Sequence, residues 1–155
     1  MKTPCTTLQL ELATKLGVDV AKASAAVAAA LIREAVAVAI GEPAAASPSS
    51  ERQRAFAEAL GINVHEKSRV VASVMIDEAL FQRNSEVLAK LKLRPGDKVL
   101  KRHRVEVSGE VHEYTTEAIV SSVQPSLRVF FKGGNGRGAW PSELELPKAG
   151  VENAA

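Results

Sequence analysis

From residue 97 onwards the side chains alternate in character at every second position, and nothing earlier in the chain does so. Val99, Lys101, His103, Val105 and Val107 face one way, and Leu100, Arg102, Arg104 and Glu106 the other, the period of an extended strand with two distinct faces. Ser108-Gly109 supplies a tight turn, and a second strand is expected from Val111 through Tyr114 towards Val123. Gln124-Pro125-Ser126 turns the chain again, after which Leu127, Val129 and Phe131 alternate with Arg128, Phe130 and Lys132. A glycine-rich run over 133–138 leads into Ala139-Trp140-Pro141, and Ser142-Glu143-Leu144 reads as one helical turn. Short strands punctuated in this way, too few for a sandwich, predict a closed or nearly closed barrel. Only Phe56 and Phe81 among the aromatic residues lie outside this stretch, so specific packing is expected within it.

The preceding part has helical signals. Thr6-Thr7-Leu8-Gln9 has capping-box spacing, Leu8, Leu12 and Leu16 share one helical face, and Gly17 offers a left-handed stop. Asp19 is expected to cap a second helix running to about Ile40, closed by Gly41 and Pro43. That helix is apolar nearly all round, and a two-helix hairpin alone cannot cover it. Burial by the rest of the chain or by a second copy is required, so homo-oligomerisation is expected through Val27, Leu31, Ile32, Val36 and Ile40. Residues 42–50, with two prolines and few large side chains, read as a linker. Ser50-Glu51-Arg52-Gln53 again has capping-box spacing and opens a short helix ending at Leu60-Gly61; Ser68 is expected to cap a further helix that Asn84-Ser85 interrupts. The fold class predicted is α+β, with a helical hairpin over 1–41, a linker over 42–50, a helical module over 51–93, a barrel over 94–147 and a disordered tail over 148–155.

Pro95-Gly96-Asp97-Lys98-Val99, the strand Ala118-Ile119-Val120-Ser121-Ser122-Val123, and Val129-Phe130-Phe131-Lys132 followed by a loop and Trp140-Pro141 resemble the SH3-like barrels of the Tudor and KOW type over 94–146. That resemblance implies a module that binds RNA, DNA, methylated side chains or protein segments. The hairpin over 7–41 is similar to the helical start of the HU/IHF histone-like proteins, which implies a dimerising element; no DNA-contact residue is carried over. Leu12-Ala13, then Leu16-Gly17-Val18, also looks like the opening of a helix-turn-helix, but Val20-Ala21-Lys22-Ala23-Ser24-Ala25-Ala26 has almost nothing to reach a base edge. The pattern from Arg52 to Ile62, followed by residues 68–80, resembles a small helical module of bacterial proteins that accompany nucleic-acid enzymes, and it brings no catalytic residue with it.

Lys101-Arg102-His103-Arg104 is the densest basic run. Arginine meets a phosphate oxyanion with two parallel donors, but alternate strand residues point apart, so the run forms no continuous patch; Arg102 and Arg104 share a face. Arg128 and Lys132 are candidates to join them, while Glu106, Glu110, Glu113 and Glu117 can neutralise them through cross-strand pairs. The run Gly133-Gly134-Asn135-Gly136-Arg137-Gly138 lacks the Gly-Lys-Ser/Thr and following helix of a Walker loop. Its glycines suit a long turn, with Arg137 at the tip. Tyr114, Phe131 and Trp140 are candidates for a stacking platform, although Phe131 is in phase with the expected core.

The formal net charge of +2 excludes a uniformly basic nucleic-acid glue and leaves room for a local patch. One cysteine, Cys5, allows no internal disulfide and fits a reducing compartment. His65, His103 and His112 are scattered, so no metal site and no cofactor is expected, and no nucleophile motif emerges. Arg33-Glu34 breaks the apolar run 25–40 below the roughly 20 residues a spanning helix needs, and no export signal is expected either. The expectation is a cytoplasmic, non-enzymatic accessory protein of bacterial or mobile-element type, without a membrane partner. It binds nucleic acid, DNA or RNA, through Lys101, Arg102, Arg104, Arg128, Lys132, Arg137 and Trp140. The competing expectation is an adaptor that assembles through its alanine-rich helix and holds a protein segment with its barrel.

Overall fold

A computed structural model describes residues 2–148, so the expected tail beyond Lys148 lies outside the described residues. Four helices precede five strands: α1 (Thr7–Leu16), α2 (Ala25–Ala39), α3 (Glu51–Ala59), α4 (Arg69–Leu91), β1 (Lys98–Val107), β2 (Glu110–Val123), β3 (Val129–Phe131), β4 (Gly138–Ala139) and β5 (Leu144–Glu145). The class is α+β, as expected. The chain divides into two units, Met1–Leu80 and Phe81–Ala155. Residues 42–50 therefore fall inside the first unit, where Pro43–Ala46 form a short 3-10 turn.

The first unit is built from two copies of one hairpin. Thr6 and Gln9 close a capping box at the start of α1, and Ser50 and Gln53 close its counterpart at the start of α3. Gln9 Nε2 then donates across to Ala25 O at 2.9 Å, and Gln53 Nε2 to Arg69 O at 3.0 Å. Gly17 and Gly61, with φ of 69° and 76°, end the two short helices in the left-handed region that favours glycine. Isolated bridges tie Pro4 to Ser24 and Pro48 to Ser68. Ser24 and Ser68 accept from Val27 N and Val71 N, each at 3.2 Å, at the start of the longer helices. Cys5 Sγ donates to Ala23 O at 3.2 Å, and Ser49, at the matching place, donates to Val64 O at 3.0 Å.

The cores repeat too. Ala13, Val20, Ala28 and Ile32 form one cluster, and Ala57, Val64, Ala72 and Ile76 form the other. A third cluster joins α2 to α4 through Val27, Ala30 and Val71, flanked by Leu31, Val74 and Met75. Its members are matching positions of the two copies, the pattern of a two-fold interface between equal elements. Each fully buried Val or Ile contributes about 1.5–3 kcal/mol over its exposed state. The Ser24 hydroxyl also reaches across this junction to the Glu78 carboxylate, which lies 3.8 Å from Lys2 Nζ.

Two helix assignments change. Asp19 does not cap α2: its carboxylate accepts from Ala21 N at 3.0 Å in the connection, and Ser24 is the cap. Leu8 and Leu12 are exposed, and the buried residue of α1 is Ala13. A small side chain there lets α2 approach closely, which the leucine spacing alone did not disclose.

In the second unit the antiparallel sheet has the order β4-β3-β2-β1-β5. Ser108 and Gly109, with φ of 53° and 83°, make the two-residue turn between β1 and β2. β2 pairs with β1 through residues 110–119 and with β3 through Val120, Ser122 and Val123, with a bulge between Val120 and Ser122. The core is Val99, Val120, Val129, Ala139 and Leu144, with Leu88, Leu91 and Leu93 packed on it. Leu127, expected in a strand, instead turns the chain at φ 69°. Asn84-Ser85 does not break α4. Asn84 is buried and accepts from Ser142 N at 3.0 Å, so a tertiary partner satisfies the amide that would otherwise compete for local backbone.

No helix among the described residues is long and apolar enough to cross a membrane.

Candidate nucleic-acid interface

The register of β1 and β2 sets the geometry. Arg102 lies opposite Thr115 and Arg104 opposite Glu113, on the face that alternates with the core residues Val99 and Ala118. β5 pairs with β1 only at Leu100 and Lys101, which leaves the edge of β1 open from Arg102 onwards. Beside that edge lie Arg83 of α4 and the 3-10 turn Pro141–Glu143, and between them is a cleft of about 420 Å³. Arg83, Lys101, Arg102 and Arg104 line it, with Glu113 and Glu143. Alternation places Lys101 on the other face of the strand from Arg102 and Arg104, and all three residues line the cleft along the strand's edge.

The arginine positions differ in how they are held. Arg102 Nη2 donates to Ser142 O at 3.0 Å, which fixes its guanidinium at the cleft wall. The same peptide segment is anchored from α4 by Asn84. Arg83 and Arg104 form no ion pair within 4.0 Å among the described residues, even though Glu113 sits opposite Arg104 in register. Of the two carboxylates in the lining, Glu143 is already committed: its Oε2 accepts from Trp140 N at 2.7 Å. The lining of the cleft thus counts four cationic and two carboxylate residues, a local excess of positive charge on a nearly neutral chain. An oxyanion entering it meets donors in fork geometry.

The remaining predicted contacts are elsewhere in the unit. Arg128 lies over the Trp140 ring, with its central carbon 5.5 Å from the ring centroid, a cation–π arrangement that occupies one face of the indole. Lys132 and Arg137 are exposed in and beside the glycine-rich loop. None of Arg128, Lys132, Arg137 and Trp140 lines the cleft. The loop is a turn: Gly133 and Gly136 have φ of 71° and 76°, and Arg137 N donates back to Gly134 O at 2.8 Å. Phe131 packs against the core, and the Tyr114 ring stacks on His103 with centroids 4.8 Å apart.

Sequence reasoning missed Arg83. Its only signal was the apolar stripe of Val87, Leu88 and Leu91, of which Leu88 and Leu91 pack against the core of the sheet. Among the residues expected to self-associate, Val27 and Ile32 are buried within the first unit and Leu31 is half-buried, whereas Val36 and Ile40 are exposed. No group of three or more His, Cys, Asp or Glu side chains placed to hold a metal occurs among the described residues.

Compared with known proteins, the chain matches no family model, no curated protein and no solved structure.

Proposed function

We propose that this chain is a non-enzymatic, cytoplasmic nucleic-acid-binding accessory protein whose C-terminal unit is an SH3-like barrel. The strand order β4-β3-β2-β1-β5, with a 3-10 turn leading into the last strand, supports the barrel reading. The observation that carries the functional reading is the convergence of Arg83, Lys101, Arg102 and Arg104 on one cleft. Such a site favours the phosphate backbone of DNA or RNA over the base edges, since backbone contacts give affinity without sequence information. Arg128 over Trp140, and the exposed Lys132 and Arg137, are further contacts for the same strand in this reading. Self-association, in this reading, falls to the outer end of α2, Val36 and Ile40, because Val27 and Ile32 are already taken up inside the chain.

The experiment is a titration of the full chain with single- and double-stranded DNA and RNA over a range of salt. Binding that weakens steeply as salt rises supports the reading. Absence of any complex at low salt sinks it.

A further inference from the structure

The two hairpins of the first unit differ on their outer faces. Beside α3 and α4 lies a groove of about 620 Å³, in which Ala55, Phe56, Ala59 and Ile76 supply apolar surface and Arg52 and Asp77 charge. Two alanines one helical turn apart give α3 little bulk there, and Phe56 is 47% exposed. At the matching positions α1 carries Glu11 and Lys15 in place of the alanines, and Leu8 and Leu12 in place of Arg52 and Phe56. Leu8, Glu11, Leu12 and Lys15 stand at i, i+3, i+4 and i+7, so they share one face of α1. That face is a ridge, with Leu8 73% and Leu12 41% exposed. It is distinct from the face of Ala13, through which α1 packs on its own hairpin. A groove between helices takes the ridge of another helix in this way.

The charges are ordered along both surfaces. Gln53 Nε2 donates to Ser73 Oγ at 2.9 Å, and Ala57 shares a core cluster with Ile76, so α3 and α4 advance together along the groove. Asp77 therefore lies about one helical turn beyond the level of Arg52. From the start of α3 the groove is positive and then negative. α1 is negative at Glu11 and positive at Lys15, one turn later. All four residues are exposed, and none forms an ion pair within 4.0 Å among the described residues. Laid in the groove parallel to α3, α1 brings Glu11 to Arg52 and Lys15 to Asp77, with Leu12 against Ala55 and Phe56. Laid in reverse, it sets like charges together.

We propose that α1 of one chain docks in the α3–α4 groove of a second copy, parallel to α3. The contact joins unlike surfaces and is therefore heterologous. Each docked pair keeps one unused ridge and one unused groove, the arrangement that extends into a ring or a filament. This contact is separate from Val36 and Ile40, and it does not rest on the nucleic-acid reading.

The test is sedimentation equilibrium of the full chain over a range of concentration, where association that grows with concentration is expected. Leu8→Arg combined with Leu12→Gln removes the ridge. Ala55→Glu combined with Ala59→Lys fills the groove with the residues that α1 itself carries. Each of these variants alone is expected to stay monomeric. Mixed, they are expected to form a one-to-one complex, because one keeps its groove and the other its ridge. Glu11→Lys is expected to weaken association at least about tenfold, and Arg52→Glu in the same chain to restore it. A chain that is monomeric at every concentration overturns the proposal. So does failure of the ridge and groove variants to pair, or association that survives filling of the groove, as it would if α1 met α1. Association lost only with Val36→Gln and Ile40→Gln also overturns it, and leaves the outer end of α2 as the contact. The charge exchange at exposed Glu11 and Arg52 decides the matter even if a groove variant does not fold.

Discussion

The side-chain oxygen of Asn84 accepts a hydrogen bond from the backbone N–H of Ser142 at 3.0 Å, and the carbonyl of that same Ser142 accepts from Arg102 at 3.0 Å. One residue thus connects α4 to the cleft wall. Removing a buried hydrogen-bond partner costs about 1–3 kcal/mol. Asn84→Ala is therefore expected to lower the stability of the second unit by that amount, measured by urea unfolding. It is also expected to weaken polyanion binding, since Arg102 loses its fixed carbonyl. A variant with unchanged unfolding midpoint would show that the bond is incidental.

Charge changes in the cleft separate its residues from the rest of the surface. Arg83→Ala, Arg102→Ala and Arg104→Ala are each expected to lower the dependence of log affinity on log salt by about one phosphate contact. Lys90→Ala, on α4 but outside the cleft lining, is expected to leave it unchanged. Equal effects from all four variants would mean a diffuse field with no defined site.

Trp140 is the only tryptophan in the chain, so its fluorescence reports one place. If a base stacks on the face of the indole that Arg128 leaves open, single-stranded nucleic acid quenches the emission, and Trp140→Ala costs about 1–3 kcal/mol of binding. A complex formed with no change in emission would confine the contacts to the arginine cleft.

The matched hairpins predict matched energetics. Ile32 and Ile76 occupy equivalent places in the two small cores, so Ile32→Val and Ile76→Val are each expected to cost about 0.5–1.5 kcal/mol in urea unfolding. Because Val27 and Val71 meet in the cluster that joins the copies, a double-mutant cycle on Val27→Ala and Val71→Ala is expected to show coupling of about 0.5 kcal/mol or more. Strict additivity would argue against direct packing of the two.

The capping boxes at Thr6 and Ser50, the stops at Gly17 and Gly61 and the turn at Ser108-Gly109 were all legible in the sequence, because each depends on residues within a few positions of one another. The repeat was legible too: Pro4 with Pro48, Gln9 with Gln53, Gly17 with Gly61 and Ser24 with Ser68 stand at one constant offset. Reading each hairpin by its own apolar pattern hid it, since exposed Leu8 and Leu10 stand where the second copy has Arg52 and Arg54. The alternation of Arg102 and Arg104 was read correctly along the strand, but alternation does not say what lies beside a strand's edge.

Local chemistry was enough to determine the elements: helix starts, helix stops, the strand period and the turn between β1 and β2 follow from backbone preference and short-range hydrogen bonding. Tertiary structure alone decided which surfaces were already used. Whether Val27 met a second copy or Val71, whether Asn84 broke a helix or held a turn, and whether Arg83 joined Arg102 all depended on residues far apart in sequence. Those pairings are set by how packed elements exclude water and satisfy buried polar groups, and no short window of the chain contains both partners.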